Sequence, residues 1–353
     1  MDSNNIILIS ILGIFSLFFY KYFIKILSKY NSKLLIDDQF DKPQAFHENA
    51  ISTSGGVCIF FSLIIIYFNF FLFKNIFFLE YFSFCSLFFL LGLIDDIKIN
   101  IKPKVRLLLM IIFLIILVKI NDFYLYKTGI EFLNNWIITS NIFSLIFICL
   151  CFLFIINGAN LIDGYNGLLG IHSSIIILNL CLLNFFHGNN DLAQLLFFSF
   201  IVIIFFLMLN FPKGKIFLGD SGSYLLGALI AVSVVKTSIA IPEISPFYFC
   251  IILFYLFFEV FFSFFRKLLK EKKSPIHPDE KHLHMLLYKF LLKKNRDKAK
   301  SNYQVSIIIN LFYLMLIIPS ILMMKNGMFC KYYSIVFFIF YFFSYKLAYE
   351  KTK

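Results

Sequence analysis

The sequence predicts an all-α polytopic membrane protein of about 11 transmembrane helices, N-terminus outside, with its chemistry-bearing loops cytoplasmic. Three observations predict this. Of the 353 residues, 60% are hydrophobic, above the roughly 45–50% apolar share of soluble proteins. The excess comes in blocks of about 17–25 residues, the length that crosses a bilayer. The basic residues segregate as well. With the N-terminus outside, only Lys74, Lys119, Lys127, Lys236, Lys325 and Lys331 fall on the outer side, and the other 26 of the 32 Lys and Arg fall inside. Such asymmetry orients a membrane protein.

The elements follow in order. The first block, 6–27, carries Lys21, Lys25, Lys29 and Lys33 at and after its end rather than before it, which predicts an uncleaved span rather than a secretory signal. Blocks 56–73 and 76–94 come next, then 105–120. Segment 121–136, NDFYLYKTGIEFLNNW, reads as a short outer loop with a hairpin at Thr128-Gly129. Blocks 138–157 and 168–186 flank NGANLIDGYNGLLG, and blocks 192–210 and 218–236 meet at NFPKGKIFLGDSGSY. Block 246–265 precedes the longest polar stretch, 266–302, a basic loop on the cytoplasmic side. Blocks 303–323 and 329–348 complete the chain. No repeat or soluble domain interrupts it, so residues 1–353 read as a single transmembrane domain. The seven cysteines lie mostly in apolar runs without a CxxC and read as small core hydrophobes. Much of the +12 net charge would face anionic lipid headgroups and anionic substrates; no nucleic acid partner is implied.

The acidic motifs were not used to set this orientation, yet they gather on the same face. Block 76–94 runs into LGLIDDIKINIKPKVR, which places Asp95 and Asp96 at a helix C-terminus. The macrodipole disfavours each anion there by about 0.3–1 kcal/mol, so compensation is expected from Lys98, Lys102, Lys104, Arg106 or a divalent cation. Neighbours on a helix point about 100° apart, so only one of the two is expected to face a shared site. In NGANLIDGYNGLLG, Asn157, Asn160, Asp163 and Asn166 recur every third residue, which would stack them on one side of a helical turn. An aspartate at a membrane interface marks function more often than packing.

In NFPKGKIFLGDSGSY, Asp220 and Ser221 open a helix between Gly219 and Gly222, with Lys213 and Lys215 nearby. A helix N-terminus binds phosphate through free N–H groups, and an aspartate there can hold Mg²⁺ against it; a plain N-cap is the competing reading of Asp220. The basic loop contains SPIHPDEKHLHMLL, with Asp279, His277, His282 and His284, residues suited to phosphate, metal or proton transfer. Without a thiolate partner, zinc is disfavoured. Taken together, the pieces describe a phosphate-handling site, and its oxygen ligands favour Mg²⁺ or Mn²⁺.

In these motifs the chain resembles the polyprenyl-phosphate N-acetylhexosamine-1-phosphate transferases, a superfamily that includes phospho-N-acetylmuramoyl-pentapeptide transferase. The matching pieces are DKPQAFH…SGG (41–56), LGLIDD (91–96), NGANLIDGYNGLLG (157–170), NFPKGKIFLGDSGS (210–223) and SPIHPDEKHLH (274–284), in family order. The resemblance implies a multi-pass enzyme of the bacterial inner membrane. It would transfer N-acetylhexosamine-1-phosphate from a UDP-sugar, UDP-GlcNAc by default, to undecaprenyl phosphate with Mg²⁺, releasing UMP. This would be the first membrane step of a cell-surface glycan such as an O-antigen; a homodimer is compatible with it.

By residue, the resemblance implies that Asp220 holds the metal, and that Asp95, Asp96, Asp163, His282 and His284 are catalytic. Lys104, Asn160, Asn166, Asn210, Lys215, His47 and Asp279 would bind substrate. Asn166 stands where the family commonly has a second Asp, and Thr53-Ser54 where Pro-Arg is common. The triple-His–Phe–Glu and Thr-Pro-Thr-Met-Gly-Gly stretches of the muramoyl-pentapeptide branch are absent, which disfavours that branch. An ion-coupled transporter, the alternative from another class, would place its acids near the midplane between repeats, and here they sit at one interface.

Overall fold

The computed structural model describes residues 3–29, 35–37, 50–99, 101–272, 274 and 279–352. Helices occupy all eleven expected positions: α1 (Ser3–Lys29), α2 (Gly55–Lys74), α3 (Leu79–Asp96), α4 (Pro103–Ile120), a short α5 (Glu131–Thr139), α6 (Asn141–Ile162), α7 (Leu168–Phe186), α8 (Asn190–Asn210), α9 (Gly219–Ala240), α10 (Pro246–Ile252), α11 (Phe254–Phe265), α12 (Leu283–Asn295), α13 (Lys298–Leu322) and α14 (Gly327–Thr352). Among the described residues, eight helices are long and apolar enough to cross a membrane, nine if the bent α10–α11 pair counts as one span. The expected eleven also included α3 and α4. Each has 18 residues, and each carries three charged residues at its ends: Glu80, Asp95 and Asp96, or Lys104, Arg106 and Lys119. The chain is an all-α, multi-pass membrane protein.

Three expectations about boundaries change. The span expected over 138–157 runs on to Ile162, so Asn157, Gly158 and Asn160 are helical despite poor propensity. Tertiary partners hold them there: Asn157 Nδ2, besides its bond to Leu153 of its own helix, donates to Met110 Sδ of α4 at 3.7 Å, and an added Cβ on Gly158 would strike the Leu256 carbonyl of α11. The single span expected over 246–265 is broken at Leu253, and the two halves bend by 74°. The outer loop is not a hairpin. Thr128 Oγ1 and the Thr128 N–H both donate to Asn134 Oδ1 at 2.7 Å, folding the turn back onto α5.

Helix α9 is the axis of the bundle and packs against α2, α3, α6 and α7. Of its apolar window, 78% is buried, against 17% for the peripheral α14. Its sequence, GDSGSYLLGALIAVSVVKTSIA, explains the position, because small residues let neighbouring membrane helices approach closely. A Cβ on Gly92 of α3 would meet the Asp220 carbonyl, and one on Gly56 of α2 would meet the Gly222 amide.

Two short strands, β1 (Ile36–Asp37) and β2 (Ile51–Ser52), pair antiparallel. The chain then runs beside 216–218. Phe217 N–H donates to the Ser52 carbonyl, while the Gly55 and Gly56 N–H groups donate to the carbonyls of Phe217 and Leu218 at 3.0 Å. The otherwise unpaired donors at the start of α2 are thus satisfied by the segment leading into α9, which ties SGG to GDSGS. At the other end of the bundle, ion pairs join Lys236 to Glu80, Lys74 to Asp191, and His187 and Lys325 to Glu243. The α3–α9 and α2–α8 neighbours are therefore antiparallel.

Candidate active site

Four aspartates from three separate stretches of the chain, Asp95, Asp96, Asp163 and Asp220, belong to the end of the bundle where α9 begins. Asp96 lies against the first turn of α9, and its carboxylate accepts from Asp220 N–H at 2.8 Å and Ser221 N–H at 2.9 Å. Gly219 makes this approach possible. It has φ +75°, and a Cβ there would lie 2.5 Å from Asp96 Oδ2. The N–H groups expected to receive a ligand phosphate are therefore occupied by a side chain of α3, and Asp220 is not itself the cap. The dipole penalty expected for Asp96 is reversed, because the positive end of α9 faces it.

Asp95 turns to a different partner. Arg106 of α4 donates from Nη1 to its Oδ2 at 2.5 Å, and the same Nη1 lies 3.9 Å from Asp220 Oδ2. Both members of the acidic pair are thus held near the start of α9, each by a different neighbour. Asp220 Oδ1 accepts from Asn160 Nδ2 at 2.7 Å, and Asn160 also donates to Ser223 Oγ at 2.9 Å. Asp163 caps the C-terminus of α6. Burial first, then the charges of Asp220 and Asp96, push its carboxyl well above the usual range.

The three-residue repeat does not stack on one face. Asn160 and Asp163 belong to the acidic centre, whereas Asn157 bonds to its own helix. Asn166 donates from Nδ2 to the Pro212 carbonyl and from its backbone N–H to Asn302 Oδ1, both at 2.9 Å. Asn210 is committed at both ends of its amide: Oδ1 accepts from Gly167 N–H at 2.6 Å, and Nδ2 donates to the Ile216 carbonyl at 2.7 Å. It joins the two loops that carry Asp163 and Asp220. Lys104, Lys213 and Lys215 are exposed. His47 and His277 lie outside the described residues.

The histidine motif forms a second centre. His282 Nδ1 lies 3.1 Å from Glu259 Oε2, and its Nε2 lies 3.5 Å from Asp279 Oδ1. His284 is fully buried, and Tyr255 OH is 3.3 Å from its Nδ1. Burial holds its pKa down at about 4. Asp279 is engaged by Arg266 Nη2 at 2.8 Å, with Lys267 3.7 Å away, and Glu271 accepts from Arg266 and Lys281 at 2.8 Å. Burial opposes ionisation of Asp279, but His282, the Lys281 amide and Arg266 outweigh it and hold its pKa below the usual value. Tyr165, two residues after Asp163, packs edge-on against His284 at 5.8 Å and tilted against Tyr288 at 5.3 Å. The histidine motif therefore flanks the Asp163 loop. Glu259 and Arg266 were missed by sequence reasoning. The signal for Glu259 was available, since it is a lone carboxylate inside FYLFFEVFFSFF.

Among the described residues, no group of three or more His, Cys, Asp or Glu side chains converges into a metal cage. That matches Mg²⁺, which takes one or two carboxylates and completes its shell with water and substrate phosphates. The mutual repulsion of Asp163, Asp220 and Asp96 supplies the electrostatic reason for a cation to bind.

Comparison with known proteins fits this arrangement. The family described as glycosyl transferase family 4 matches residues 78–238, the stretch that carries all four aspartates. The undecaprenyl-phosphate alpha-N-acetylglucosaminyl 1-phosphate transferase of Thermotoga maritima is 32% identical over 73% of this chain and 75% of that protein. The chain belongs to this transferase family. The phospho-N-acetylmuramoyl-pentapeptide-transferase of Dictyoglomus turgidum, of the same superfamily, is 32% identical over 66% of the chain and 75% of that protein. The Escherichia coli K12 undecaprenyl-phosphate alpha-N-acetylglucosaminyl 1-phosphate transferase is 27% identical over 56% and 54%. The protein is thus a glycosyl-1-phosphate transferase acting on a polyprenyl phosphate.

Proposed function

We propose that the enzyme transfers N-acetylhexosamine-1-phosphate from a UDP-sugar, UDP-GlcNAc first among them, to undecaprenyl phosphate. The reaction would run at the cytoplasmic face of a bacterial inner membrane and open the assembly of a surface glycan. A lipid phosphate oxygen attacks the β-phosphorus of the donor. The bond from that phosphorus to the bridging oxygen breaks, and UMP leaves with both electrons. The observation that carries this reading is the convergence of Asp95, Asp96, Asn160, Asp163 and Asp220 at the start of α9.

Phosphoryl transfer demands positioning and charge neutralisation more than covalent help. Asp220, with Asp163 beside it, would hold Mg²⁺ or Mn²⁺, which when bound neutralises the donor diphosphate. Asn160 orients the Asp220 carboxylate, and Asp96 fixes the turn of α9 that carries it. Asp95, held by Arg106, would be the carboxylate that meets the lipid phosphate. His282 and His284 flank the donor phosphates, with Tyr165 between them and the Asp163 loop. Exposed Lys104 and Lys215, and His47, would draw anionic substrate to the site.

The test is UMP release from a panel of UDP-sugars with undecaprenyl phosphate and Mg²⁺. UDP-N-acetylhexosamines are expected to react. Turnover confined to UDP-N-acetylmuramoyl-pentapeptide would move the enzyme to the branch of the Dictyoglomus relative. Folded enzyme inactive with every donor would overturn the proposal.

A further inference from the structure

We propose that Glu259 is a positioning residue of the transferase, setting the rings of His282 and His284 without touching substrate. This rests on the reading that the histidine pair serves the donor phosphates.

Glu259 sits in α11, inside the bent span, and is 1% exposed. A carboxylate within a membrane helix is costly and is seldom kept without a role, so its partners define its purpose. Both oxygens go to one turn. Oε2 meets His282 Nδ1 at 3.1 Å; Oε1 accepts from Leu283 N–H at 3.3 Å and lies 4.0 Å from His284 Nδ1. His282 is the N-cap residue of α12 and Leu283 its first residue, so the same carboxylate stabilises the positive end of that helix. The two imidazole rings stack with an interplanar angle of 7° and centroids 5.5 Å apart. The arrangement resembles a carboxylate that fixes the orientation of a working histidine through its Nδ1.

A ring held by Nδ1 presents Nε2 on its far side. The Nε2 of His282 is directed to Asp279. The Nε2 of His284 is buried and has no hydrogen-bond partner among the described residues, although buried polar atoms are nearly always paired. That atom is the one left for a ligand; Tyr255 holds the Nδ1 side of the ring at 3.3 Å, and Glu259 acts on it through the stacked ring of His282 that it bonds.

The experiment uses full-length enzyme in lipid nanodiscs, with UDP-GlcNAc, undecaprenyl phosphate and Mg²⁺, and reads UMP release. Glu259→Gln keeps size but replaces one acceptor oxygen with a donor. It is expected to lower kcat by about 10–100-fold, the usual cost of losing such a partner, with KM for the donor within about threefold. Glu259→Asp should recover part of the loss. Adding Glu259→Gln to His282→Ala should cost less than about threefold more, because the effect passes through the imidazole. If Glu259→Gln does not fold, Glu259→Asp takes its place in the same cycle. Unchanged kcat in a folded Glu259 variant, or fully multiplicative losses in the double variant, would overturn the assignment while leaving the donor reading intact. Wild-type turnover by His282→Ala would overturn both.

Discussion

At the start of α9, Asp96 commits both oxygens to backbone N–H groups, Asp95 and Asp220 face Arg106, and Asp163 is pushed toward its neutral form. Beside α11, Glu259, Glu271 and Asp279 are interleaved with His282, Arg266, Lys267 and Lys281 at 2.8–3.7 Å. The first region gathers like charges whose repulsion a cation would relieve. The second is neutralised by its own side chains. On the proposed reading the difference separates two tasks: one centre would recruit an ion and the phosphates it accompanies, while the other would hold a fixed set of donors beside them. Burying charges demands partners in either case, but only the first draws on a partner from outside the chain.

The largest expected effect comes from Asp220→Asn. Its backbone N–H still reaches Asp96, so the helix keeps its start. Turnover should fall by about a thousandfold or more, as when a charge-stabilising group is removed from an active site, with weakened Mg²⁺ dependence. UMP release titrated against Mg²⁺ measures both, and an unaltered titration would end the metal role of Asp220.

Next comes the acidic pair. Asp96→Ala removes two charge-assisted hydrogen bonds at the α9 terminus and should destabilise the fold by about 1–3 kcal/mol while abolishing most turnover. Asp95→Ala should lower turnover with much less change in melting temperature. Thermal melts run beside kinetics separate the two. Equal melting losses would mean that the division between structural and reacting carboxylate is wrong.

The second centre makes a pH prediction. His284 in the folded chain titrates at about 4 against its ordinary 6.5, so between those values the unfolded chain binds more protons. The stability it contributes is full above pH 6.5 and is lost as the pH falls toward 4. Melting curves of wild type and His284→Gln should converge on acidification through that window. A constant difference would show that His284 is not held neutral. The smallest effect is expected from Asn166→Asp. An anion would face the Pro212 carbonyl in place of a donated hydrogen bond, costing about 1 kcal/mol. Turnover should remain within about fivefold of wild type, read in the same assay.

The fold class was legible because hydropathy and the positions of lysines and arginines are one-dimensional properties. Helices stand where the apolar blocks are, although only eight, or nine with the bent pair, are long and apolar enough to cross a membrane among the described residues, and the four aspartates lie around the start of α9. Less legible were α6, which continues through Asn157 and Gly158, and the break at Leu253. Both depend on packing between α6 and α11, which the local pattern does not carry. Asn210 was read as a substrate group by its motif, yet its amide joins two loops, and a motif gives no partner for either end. Glu259 could have been flagged from its apolar surroundings, but its histidine partners lie more than 20 residues on.

By itself, then, the sequence determined the solvent of the chain, the residue types of the chemistry and the end of the bundle where they gather. Hydrophobic length and charge bias act without regard to distant contacts. Only the tertiary structure decided that Asp96 caps α9 from 124 residues away, that Asp220 does not cap its own helix but meets Asn160, and that His282 answers to a carboxylate of α11. The physical reason is competition. Each buried N–H, oxygen and charge takes the nearest partner that satisfies it, and nearness is set by packing.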